Sequence, residues 1–534
     1  MCRRTVCGVA DERAAVVARR AAELALATGV ALPDHLALWS LAGGRPRAEP
    51  VPGEPDELGR LLEGSFGEAA RRRQGAHFTP ASLAAEIAER ALAGRTHATV
   101  GDPACGGGAL LLATAGHLAA RGAARSQIVA QIWAADIDPL AVATTEAALA
   151  LWAGEPPPAA HLAVADGLLD DLGWPPLDVV VGNPPFLSQL GADTARDATL
   201  AARLRERFGD DVVRAYTDPA ALFLLRACHQ AAPGGTVALI QPQSSLASRD
   251  AAGVRAAVVS RARVDEIWFP DDAGFDASVD VCVPVLTVGA TGRSVPWSSH
   301  LARAHGVPDV ALSGSHRVGE EATTTAGFRG EYYGMVEHVR EASHRPDGSP
   351  VVTTGMIDLG RVAWGERAAR IGRRRWERPV VDLRALEARA ADWARRTSGP
   401  KLLVATQTRV VEVAVDDEGR WLPAVPLVVV LAPVERLWPL ASAIAAPAVT
   451  AWALARVAGA ALSPRALKVT ASLLRDVPLP TDGEAWARGT EAFRAGDLEG
   501  FVDAMAAAYD VGPEVGEWWT DRARSAWSPV AAGR

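Results

Sequence analysis

The chain has 534 residues, of which 49% are hydrophobic and 22% charged, and its formal net charge is −8. This balance excludes a disordered chain, and the length allows two to four domains. The five cysteines are too few and too irregularly spaced for a disulfide framework, which favours a reducing, cytoplasmic setting. Cys2 and Cys7 have no second Cys or His pair at zinc spacing, so we expect no metal site.

The N-terminal stretch has early arginines but no continuous apolar core, which does not fit a secretory signal. An uncharged run at residues 437–455 is long enough to cross a bilayer. Pro439 and Pro447 interrupt this run, so buried helices are expected there instead.

The elements divide the chain into four expected domains. Residues 1–70 are predicted to be a helical segment, because they are alanine-rich up to a Pro/Gly stretch. Residues 71–290 alternate short apolar runs with helical segments, which is typical of βαβ units and a mostly parallel sheet. Residues 291–480 carry turns, tryptophans and arginine clusters and are predicted to form a second domain, and residues 481–534 a helical tail. Seven strands are expected within residues 71–290, near 98–102, 130–136, 161–165, 178–182, 236–241, 264–268 and 279–288.

The first of these strands leads into a glycine-rich turn, "VGDPACGGGALL", at residues 100–111. Glycines allow positive φ and a close approach of the backbone to a ligand. This is the place where a nucleotide-like cofactor binds in a doubly wound sheet. The turn lacks the lysine of a P-loop and a complete dinucleotide fingerprint, so taken alone it predicts a cofactor site only weakly.

Acidic side chains follow the next two strands. Asp136 ends the second strand in "IWAADIDP", where a carboxylate can accept hydrogen bonds from ribose hydroxyls. Asp166 ends the third strand in "LAVADGLL", where it can accept a bond from an adenine amino group. Each acid alone also fits a helix cap or a turn, but three such loops at successive strand ends indicate one ligand site.

The fourth strand ends in "DVVVGNPPFLSQL", residues 178–190, where two prolines prevent the strand from continuing. An amide oxygen of Asn183 and the carbonyl oxygen of Pro184 can accept both hydrogens of an adenine amino group, which frees its lone pair for attack on a sulfonium methyl. The ring of Pro185 restricts the preceding residue, and Phe186 offers a face on which the base can stack. The alternative for this motif in isolation is a proline-rich turn.

In order and spacing, "DPACGGGALL", "AADIDP", "VADGLL" and "GNPPF" resemble motifs I to IV of S-adenosylmethionine-dependent adenine-N6 DNA methyltransferases. The upstream stretch "RRRQGAHFTPASLAAEIAERAL" resembles the helical motif that precedes motif I in the gamma, or Taq-type, class of restriction–modification systems. The resemblance extends over residues 60 to 480 and is more specific in the first half. It implies a Rossmann-like class I methyltransferase domain with a mostly parallel, seven-stranded α/β sheet, followed by an α+β target-recognition domain.

The resemblance also implies site residues. The catalytic residues would be Asn183, Pro184, Pro185 and Phe186, and the flipped adenine would stack on Phe186 together with Phe269 or Phe275. S-adenosyl-L-methionine would contact Thr79, Asp102, Ala104, Cys105, Gly106, Asp136, Ile137, Asp166, Gly167 and Asn183. Two positions depart from the common pattern, since Phe186 replaces a tyrosine and Asp136 replaces a frequent glutamate.

Residues 361–409 contain thirteen Lys/Arg and five Asp/Glu, a local charge of +8 in an acidic chain. Such a segment can bind phosphates, although a solvated helical face would have the same composition. Trp364 and Trp376 lie within this segment and fit either sugar contacts or core packing. Contacts with double-stranded DNA are expected from Arg373, Arg374, Arg375, Arg395, Arg396 and Arg409.

Two alternative functions remain open. Asn-Pro-Pro loops also serve methylation of guanine N2 in RNA and of glutamine in proteins, but the large arginine-bearing second domain favours DNA. A degenerate fold that binds DNA without reacting is also conceivable, although nothing in residues 79–186 looks disabled.

We expect no nuclease in this chain. About seventy residues precede the catalytic domain, and the only two lysines, Lys401 and Lys468, do not form an Asp…Glu-x-Lys site. A restriction or defence nuclease would then be a separate protein. The chain itself is expected to be a monomer.

Overall fold

The computed structural model describes residues 12–65, 79–186, 198–270, 280–290, 292, 295–327, 329–342, 348–386, 388–459 and 466–524. Contacts divide the chain into two compact units, residues 1–295 and 296–534. The four-domain division expected from the sequence remains a prediction.

The elements of the first unit alternate between helices and strands along much of the chain. Its helices are α1 Glu12–Thr28, α2 Ala37–Leu41, α3 Glu57–Gly64, α4 Ala81–Leu92, α5 Ala109–Ala120, α6 Arg125–Val129, α7 Pro139–Ala153, α8 Ala198–Phe208, α9 Pro219–Gln230 and α10 Ala252–Val259. Its strands are β1 Val100–Asp102, β2 Ile132–Asp136, β3 Leu162–Val164, β4 Leu177–Gly182, β5 Ala231–Leu239, β6 Gln241–Pro242, β7 Ala262–Trp268 and β8 Val281–Val288.

These strands form one sheet in the order β3-β2-β1-β4-β5-β8, with β7 paired to β8. Neighbours from β3 to β5 run parallel, whereas β8 is antiparallel to both β5 and β7. The first strand therefore lies in the middle, and chain order reverses on its two sides. Ligands of such sheets bind beyond the carboxyl ends of the strands at this reversal, which here lies between β1 and β4.

The central strands consist of short apolar runs because the sheet is covered on both faces. In β4, "LDVVVG", every residue except Asp178 is buried, as is typical of a parallel strand between two layers of helices. Asp178 accepts hydrogen bonds from the backbone N–H and the hydroxyl group of Thr99, at 2.8 and 2.9 Å. This pair of side chains fixes the start of β4 beside β1.

The sheet has eight described strands where seven were expected, because the strand predicted at 236–241 is divided into β5 and β6. Both pieces pair with β8 in the same register, Thr236 with Thr287 and Gln241 with Cys282. The break is the single residue Ile240, which this register places opposite Val283, and its backbone N–H donates to the carbonyl oxygen of Gly182 in β4 at 3.0 Å. The two pieces are thus one interrupted strand.

The N-terminal helices share a hydrophobic core with the sheet. Side chains of α1 and α3, including Leu24 and Leu62, belong to the same buried cluster as Leu111 of α5 and Leu149 of α7. Glu146, on α7, accepts a hydrogen bond of 3.0 Å from the backbone N–H of Ala37. Residues 12–65 are therefore built into the first unit.

The second unit combines short strands with helices. Its helices are α11 Trp297–Ala304, α12 Val318–Glu321, α13 Arg329–Val336, α14 Ala388–Thr397, α15 Val434–Ala445, α16 Pro447–Val457, α17 Ala471–Arg475, α18 Gly483–Ala495, α19 Leu498–Ala508 and α20 Pro513–Ala523. Its strands are β9 Thr323–Ala326, β10 Val339–Glu341, β11 Ser349–Val352, β12 Ala369–Ile371, β13 Arg374–Trp376, β14 Pro379–Val381, β15 Lys401–Val404, β16 Gln407–Thr408, β17 Val413–Asp416, β18 Leu422–Pro423, β19 Val428–Leu431 and β20 Leu467–Lys468.

These strands form two four-stranded sheets, β10-β14-β11-β18 and β17-β15-β19-β9, and two small ribbons, β12-β13 and β16-β20. All pairs are antiparallel except β11 with β18. At the start of β15, the fully buried Lys401 forms an ion pair with Asp416 of β17. Asp416 also accepts hydrogen bonds from the backbone N–H groups of Arg420 and Trp421. Both oxygens of its buried carboxylate therefore have hydrogen-bond partners.

The apolar run at residues 437–455 forms parts of α15 and α16, which are bent by 62° at the break between them. Both helices are largely buried in the second unit. Among the described residues, no single helix is long and apolar enough to cross a membrane, and only this bent pair passes such a test by length and composition. Helices α18 to α20 belong to the same unit, with the rings of Phe493 and Phe501 5.0 Å apart.

Candidate active site

The glycine-rich turn between β1 and α5 is held by hydrogen bonds from neighbouring elements. Gly106 and Gly108 have φ values of +51° and +82°, a region that favours glycine. The backbone N–H of Cys105 donates to the carbonyl oxygen of Ala135 in β2 at 2.9 Å, and the hydroxyl group of Thr145 donates to the carbonyl oxygen of Gly106 at 2.9 Å. The turn is therefore fixed in shape without any ligand.

Asp136, at the end of β2, ties its own loop to the glycine-rich turn. One carboxylate oxygen accepts a hydrogen bond of 2.9 Å from the backbone N–H of Gly106, and the other accepts one of 2.9 Å from Asp138. Burial raises the pKa of Asp136, and these backbone hydrogen bonds oppose that rise. Each oxygen of a carboxylate has a second acceptor site, so Asp136 retains the capacity to bind hydroxyl groups.

Asp102, at the end of β1, is only 2% exposed. Its carboxylate accepts a hydrogen bond of 2.9 Å from the backbone N–H of Ala104. Burial, together with the negative charge of Asp136, raises the pKa of Asp102 to about 8 although the bond from Ala104 opposes the rise. Asp102 therefore releases its proton at a higher pH than an exposed aspartate does.

This pKa predicts how stability depends on pH. An aspartate titrates at 3.8 in the absence of structure and at about 8 here, so between these values the folded chain holds a proton that the unfolded chain releases. The free energy of unfolding therefore falls as pH rises through this interval. The neutral variant Asp102→Asn lacks this contribution, so we expect it to gain stability relative to the wild type as pH rises.

Urea unfolding at about pH 5, 7 and 8.5 measures this effect. Glu155→Gln, at an exposed position after α7, is the control and should follow the wild-type pH dependence. Parallel curves for Asp102→Asn and the wild type would contradict the raised pKa of Asp102.

The loop after β3 packs directly against the glycine-rich turn. One carboxylate oxygen of Asp166 accepts hydrogen bonds from the backbone N–H groups of Leu168 and Leu169, at 3.0 and 3.2 Å, which closes a tight turn. A Cβ atom on Gly167 would lie 1.9 Å from the carbonyl oxygen of Pro103. Only glycine fits at this contact.

Asn183 follows β4, and its side chain is held in place by Thr79. The side-chain nitrogen of Asn183 donates a hydrogen bond of 3.1 Å to the hydroxyl oxygen of Thr79, which is buried just before α4. A carboxamide held through its nitrogen presents its oxygen on the other side. The expectation that Thr79 lies at this site came from motif order alone, and the structure adds that Thr79 orients Asn183.

The loops after β1 to β4 surround a cavity of about 380 Å³. All ten residues predicted to bind the cofactor line it, although their binding role remains a prediction: Thr79, Asp102, Ala104, Cys105, Gly106, Asp136, Ile137, Asp166, Gly167 and Asn183. Sequence reasoning missed lining residues from five helices, namely Gly59, Leu62 and Glu63 of α3, Ala109 and Leu110 of α5, Ala141 of α7, Leu200 and Leu204 of α8, and Pro219 and Phe223 of α9.

Helix α3 reaches the cavity because two glycines allow it to approach the glycine-rich turn. A Cβ atom on Gly107 would lie 2.3 Å from the Cα atom of Gly59. These glycines are 48 positions apart in the sequence. Nothing in the residues around Gly59 or around Gly107 indicates that the two segments are in contact. The N-terminal segment thus supplies one wall of the cavity.

The cavity is strongly acidic. Its lining contains no Lys, Arg or His among the residues that the structure describes, and its carboxyl groups belong to Glu63, Asp102, Asp136, Asp138 and Asp166. Asp138 also forms an ion pair of 3.5 Å with Arg13. Beside these acids, the apolar side chain of Ile137 is 74% exposed, which is unusual for isoleucine. The cavity therefore suits a ligand that combines a positive charge with an apolar, flat part.

Of the remaining predicted catalytic residues, Pro185 lines the cavity, whereas Pro184 and Phe186 do not. Phe186 is half-buried and packs against the core of the first unit. Phe269 is half-buried directly after β7, and Phe275 lies outside the described residues. Which aromatic ring stacks on a base remains a prediction.

The arginines predicted to contact DNA all lie in the second unit and are exposed. Arg373, Arg374 and Arg375 belong to the ribbon β12-β13 and its turn, and Arg409 directly follows β16. Near the end of α14, Arg395 pairs with Asp392, and the guanidinium carbon of Arg396 lies 6.0 Å from the ring centre of Trp393.

Residues 54–295 match the sequence model of the N-6 DNA Methylase family. They include every element that forms the cavity. This part of the chain, which is slightly less than half of it, is therefore similar to N-6 DNA methylases. In the part of the chain that the structure describes, no group of three or more His, Cys, Asp or Glu residues is arranged to hold a metal ion. No curated protein matches the sequence significantly.

Comparison with solved structures finds several restriction–modification proteins that are similar to this chain. The type IIL restriction-modification enzyme MmeI, solved in complex with DNA, is 13% identical with a TM-score of 0.55, over 92% of this chain and 81% of that one. The type IIG restriction endonuclease BpuSI is 12% identical with a TM-score of 0.44, over 97% of this chain and 78% of that one. The M protein of the type I restriction enzyme EcoKI is 17% identical with a TM-score of 0.32, over 49% of this chain and 52% of that one. The likeness to MmeI shows a shared fold.

Proposed function

We propose that this chain is a site-specific DNA methyltransferase that transfers a methyl group from S-adenosyl-L-methionine to N6 of an adenine flipped out of duplex DNA. The observation that carries the proposal is the Asn183 carboxamide. It is held by Thr79 at the edge of an acidic cavity, within the residues that match the model of the N-6 DNA Methylase family. The order of cofactor loop, Asn-Pro-Pro-Phe loop and second unit supports assignment to the gamma class.

The charged and apolar groups of the cavity support S-adenosyl-L-methionine as the cofactor. S-adenosyl-L-methionine carries a positively charged sulfur with a transferable methyl group, and an ammonium group. Carboxyl groups of Asp102 and Asp136 offset these charges, Asp136 and Asp166 offer acceptors to the nucleoside, and Ile137 offers an apolar surface to the purine. The N–H groups of the glycine-rich turn are already held by Asp136 and Ala135, so the cradle needs little reorganisation.

The chemistry that the chain must perform is activation of a weak nucleophile. The lone pair of adenine N6 is delocalised into the ring, and it becomes available when two fixed oxygens accept the amino hydrogens. The side-chain oxygen of Asn183 and the carbonyl oxygen of Pro184 are the acceptors in this proposal. Thr79 holds the nitrogen of Asn183, so the oxygen is oriented before the base arrives, and this preorganisation lowers the barrier to methyl transfer.

The proposal assigns methylation, and no DNA cleavage, to this chain. Lys401 is buried in its ion pair with Asp416, and Lys468 lies in the two-residue strand β20. Because the ammonium group of Lys401 is held by that ion pair, Lys401 is not available to a metal-dependent nuclease site.

The proposal is tested by supplying tritiated S-adenosyl-L-methionine with three candidate substrates in parallel. These are DNA from a methylation-free host, total RNA, and a release-factor protein. We expect label only in DNA, and N6-methyladenine as the product after digestion to nucleosides and mass spectrometry. Label confined to RNA or to the release factor would overturn the choice of DNA adenine, and sequencing of the methylated DNA would give the target site.

A further inference from the structure

The ribbon formed by β12 and β13 presents an unusual concentration of arginines. Residues 369–376, which we call the arginine hairpin, are joined by a two-residue turn at Gly372 and Arg373. Both turn residues have positive φ, 60° and 67°, as expected for the tight turn that matches the twist of a hairpin. Four side chains of this short hairpin are exposed arginines: Arg370, Arg373, Arg374 and Arg375.

The charges on the arginine hairpin are largely uncompensated within the chain. Arg370 and Arg375 are directly opposite each other across the ribbon, so two like charges share one face, which destabilises a hairpin. Arg375 has one acidic partner, Glu377, at 3.2 Å. Within the described part of the chain, Arg370 and Arg373 form no ion pair. A bound anion would offset the repulsion within this cluster.

Arg373 provides a second, independent observation, because its backbone conformation favours glycine. At φ +67° a side chain with a Cβ atom is strained, and glycine or asparagine is the usual residue at this position of the turn. The arginine side chain makes no ion pair in the described part of the chain that would offset this strain. Strain retained at an exposed charged residue indicates a function for that charge.

The arginine hairpin is also held firmly. The backbone N–H of Gly372 donates a hydrogen bond of 3.1 Å to the hydroxyl oxygen of Tyr332, on α13. A Cβ atom at Gly372 would lie 2.3 Å from the side chain of Val336, so the turn packs closely on that helix. Across the ribbon, the indole N–H of Trp376 donates to the carbonyl oxygen of Ile371 at 3.1 Å. The arginines thus project from a fixed support.

We propose that the arginine hairpin is a phosphate-binding ribbon that lies in a groove of the DNA duplex. This inference rests on the proposed function, since DNA is the polyanion that the enzyme must hold. A two-stranded ribbon fits the major groove, and guanidinium groups match phosphate oxygens in pairs of hydrogen bonds. Because the net charge of the chain is −8, DNA binding needs such a local excess of positive charge.

The first test measures how salt affects binding of the wild type to an unmethylated duplex, by fluorescence anisotropy. For the triple variant Arg370→Gln, Arg373→Gln, Arg375→Gln, we expect at least ~10-fold weaker binding. We also expect the slope of log Kd against log salt to fall by about 2 to 3, since each lost phosphate contact removes about 0.9. The matching triple lysine variant keeps the charges and should keep most of the slope.

Arg488→Gln, which removes an exposed arginine on α18, is the control and should bind as the wild type does. An unchanged slope in the triple glutamine variant, or an equal loss in the control, would overturn the proposal. So would a wild-type protein that does not bind DNA but binds an acidic protein through these arginines.

The second test uses Arg373→Gly. If Arg373 had only a structural role, this variant should not become more stable while its affinity for DNA falls. Removing the Cβ atom at positive φ should raise Tm by about 2 to 4 °C, because the strain is relieved. Removing the charge should weaken DNA binding and raise KM for DNA more than it lowers kcat. A variant with lower Tm and unchanged DNA affinity would contradict the inference.

The two proposals fail separately. If the wild type methylates adenine while the triple glutamine variant binds DNA normally, the hairpin inference falls and the proposed function stands. If the triple variant loses salt-dependent binding while the wild type transfers no methyl group to DNA, the hairpin inference stands and the proposed function falls.

Discussion

Replacing Asn183 by alanine should lower the rate of methyl transfer to adenine by about 10²- to 10³-fold, the usual effect of losing one preorganised acceptor or donor at a reacting group. The variant removes the oxygen that would accept an amino hydrogen, while Asp102, Asp136 and Asp166, which are also predicted to contact the cofactor, remain in place. Because Asn183 is only one of the ten residues predicted to contact the cofactor, cofactor affinity should fall much less than the rate does. Single-turnover methylation at saturating DNA and cofactor measures the first quantity, and calorimetric titration with S-adenosyl-L-methionine the second.

Thr79 variants separate orientation of Asn183 from loss of its oxygen. Thr79→Ser keeps the hydroxyl group that accepts the hydrogen bond from Asn183, so it should retain most of the activity. Thr79→Val loses that acceptor and should be slower than Thr79→Ser, although faster than Asn183→Ala because the acceptor oxygen is still present. Gln131→Ala, which removes an exposed amide just before β2, is the control. Near wild-type turnover by Asn183→Ala would refute the proposed mechanism.

Much of the candidate site was predictable from the sequence because it lies at the carboxyl ends of parallel strands. These ends meet at one edge of the sheet, so residues that follow strands, such as Asp102, Asp136, Asp166 and Asn183, come together whatever lies between them along the chain. The strands themselves were predictable because apolar runs between helices have few alternative structures. Local sequence and sheet topology thus determine the floor of the cavity.

The walls of the cavity were not predictable, because they depend on contacts between distant segments. Helix α3 has an ordinary amphipathic sequence, and only the approach of Gly59 to Gly107 shows which surface it covers. The division of the predicted strand at 236–241 into β5 and β6 is seen in the same way only from its pairing with β8, a distant segment of the chain. Such features require knowledge of which segments become neighbours.

The basic segment shows a different limit of sequence reasoning. Its charge of +8 counts every arginine equally, yet the structure separates them into two groups. Arg361 and Arg367 pair with the buried Asp358, at 3.6 and 2.7 Å. In the arginine hairpin, by contrast, Arg370 and Arg373 form no ion pair with the residues that the structure describes. The indole N–H of Trp364 donates to the carbonyl oxygen of Pro379, and its ring packs against the core. The net charge of the segment therefore identified a basic region, but it did not show which of its arginines have acidic partners.

Replacing Gly167 by alanine should damage both the fold and the cofactor site, because a Cβ atom there would lie 1.9 Å from the carbonyl oxygen of Pro103. Neither backbone can yield alone, since Pro103 lies in the glycine-rich turn and the turn at Gly167 is closed by Asp166. We expect the free energy of unfolding to fall by about 3 kcal/mol, at the upper end of the cost of overpacking. Separation of the two loops should also weaken binding of S-adenosyl-L-methionine by at least ~10-fold, as measured by calorimetric titration.

Gly116→Ala is the matched control, because it adds the same methyl group where no atom lies within 4 Å. Gly116 lies inside α5, where alanine is favoured over glycine by about 0.5 to 1 kcal/mol, so this variant should be slightly more stable than the wild type. Cofactor affinity should not change. If Gly167→Ala were as stable as Gly116→Ala and bound the cofactor equally well, the loops after β1 and β3 would not be in the close contact on which this cavity depends.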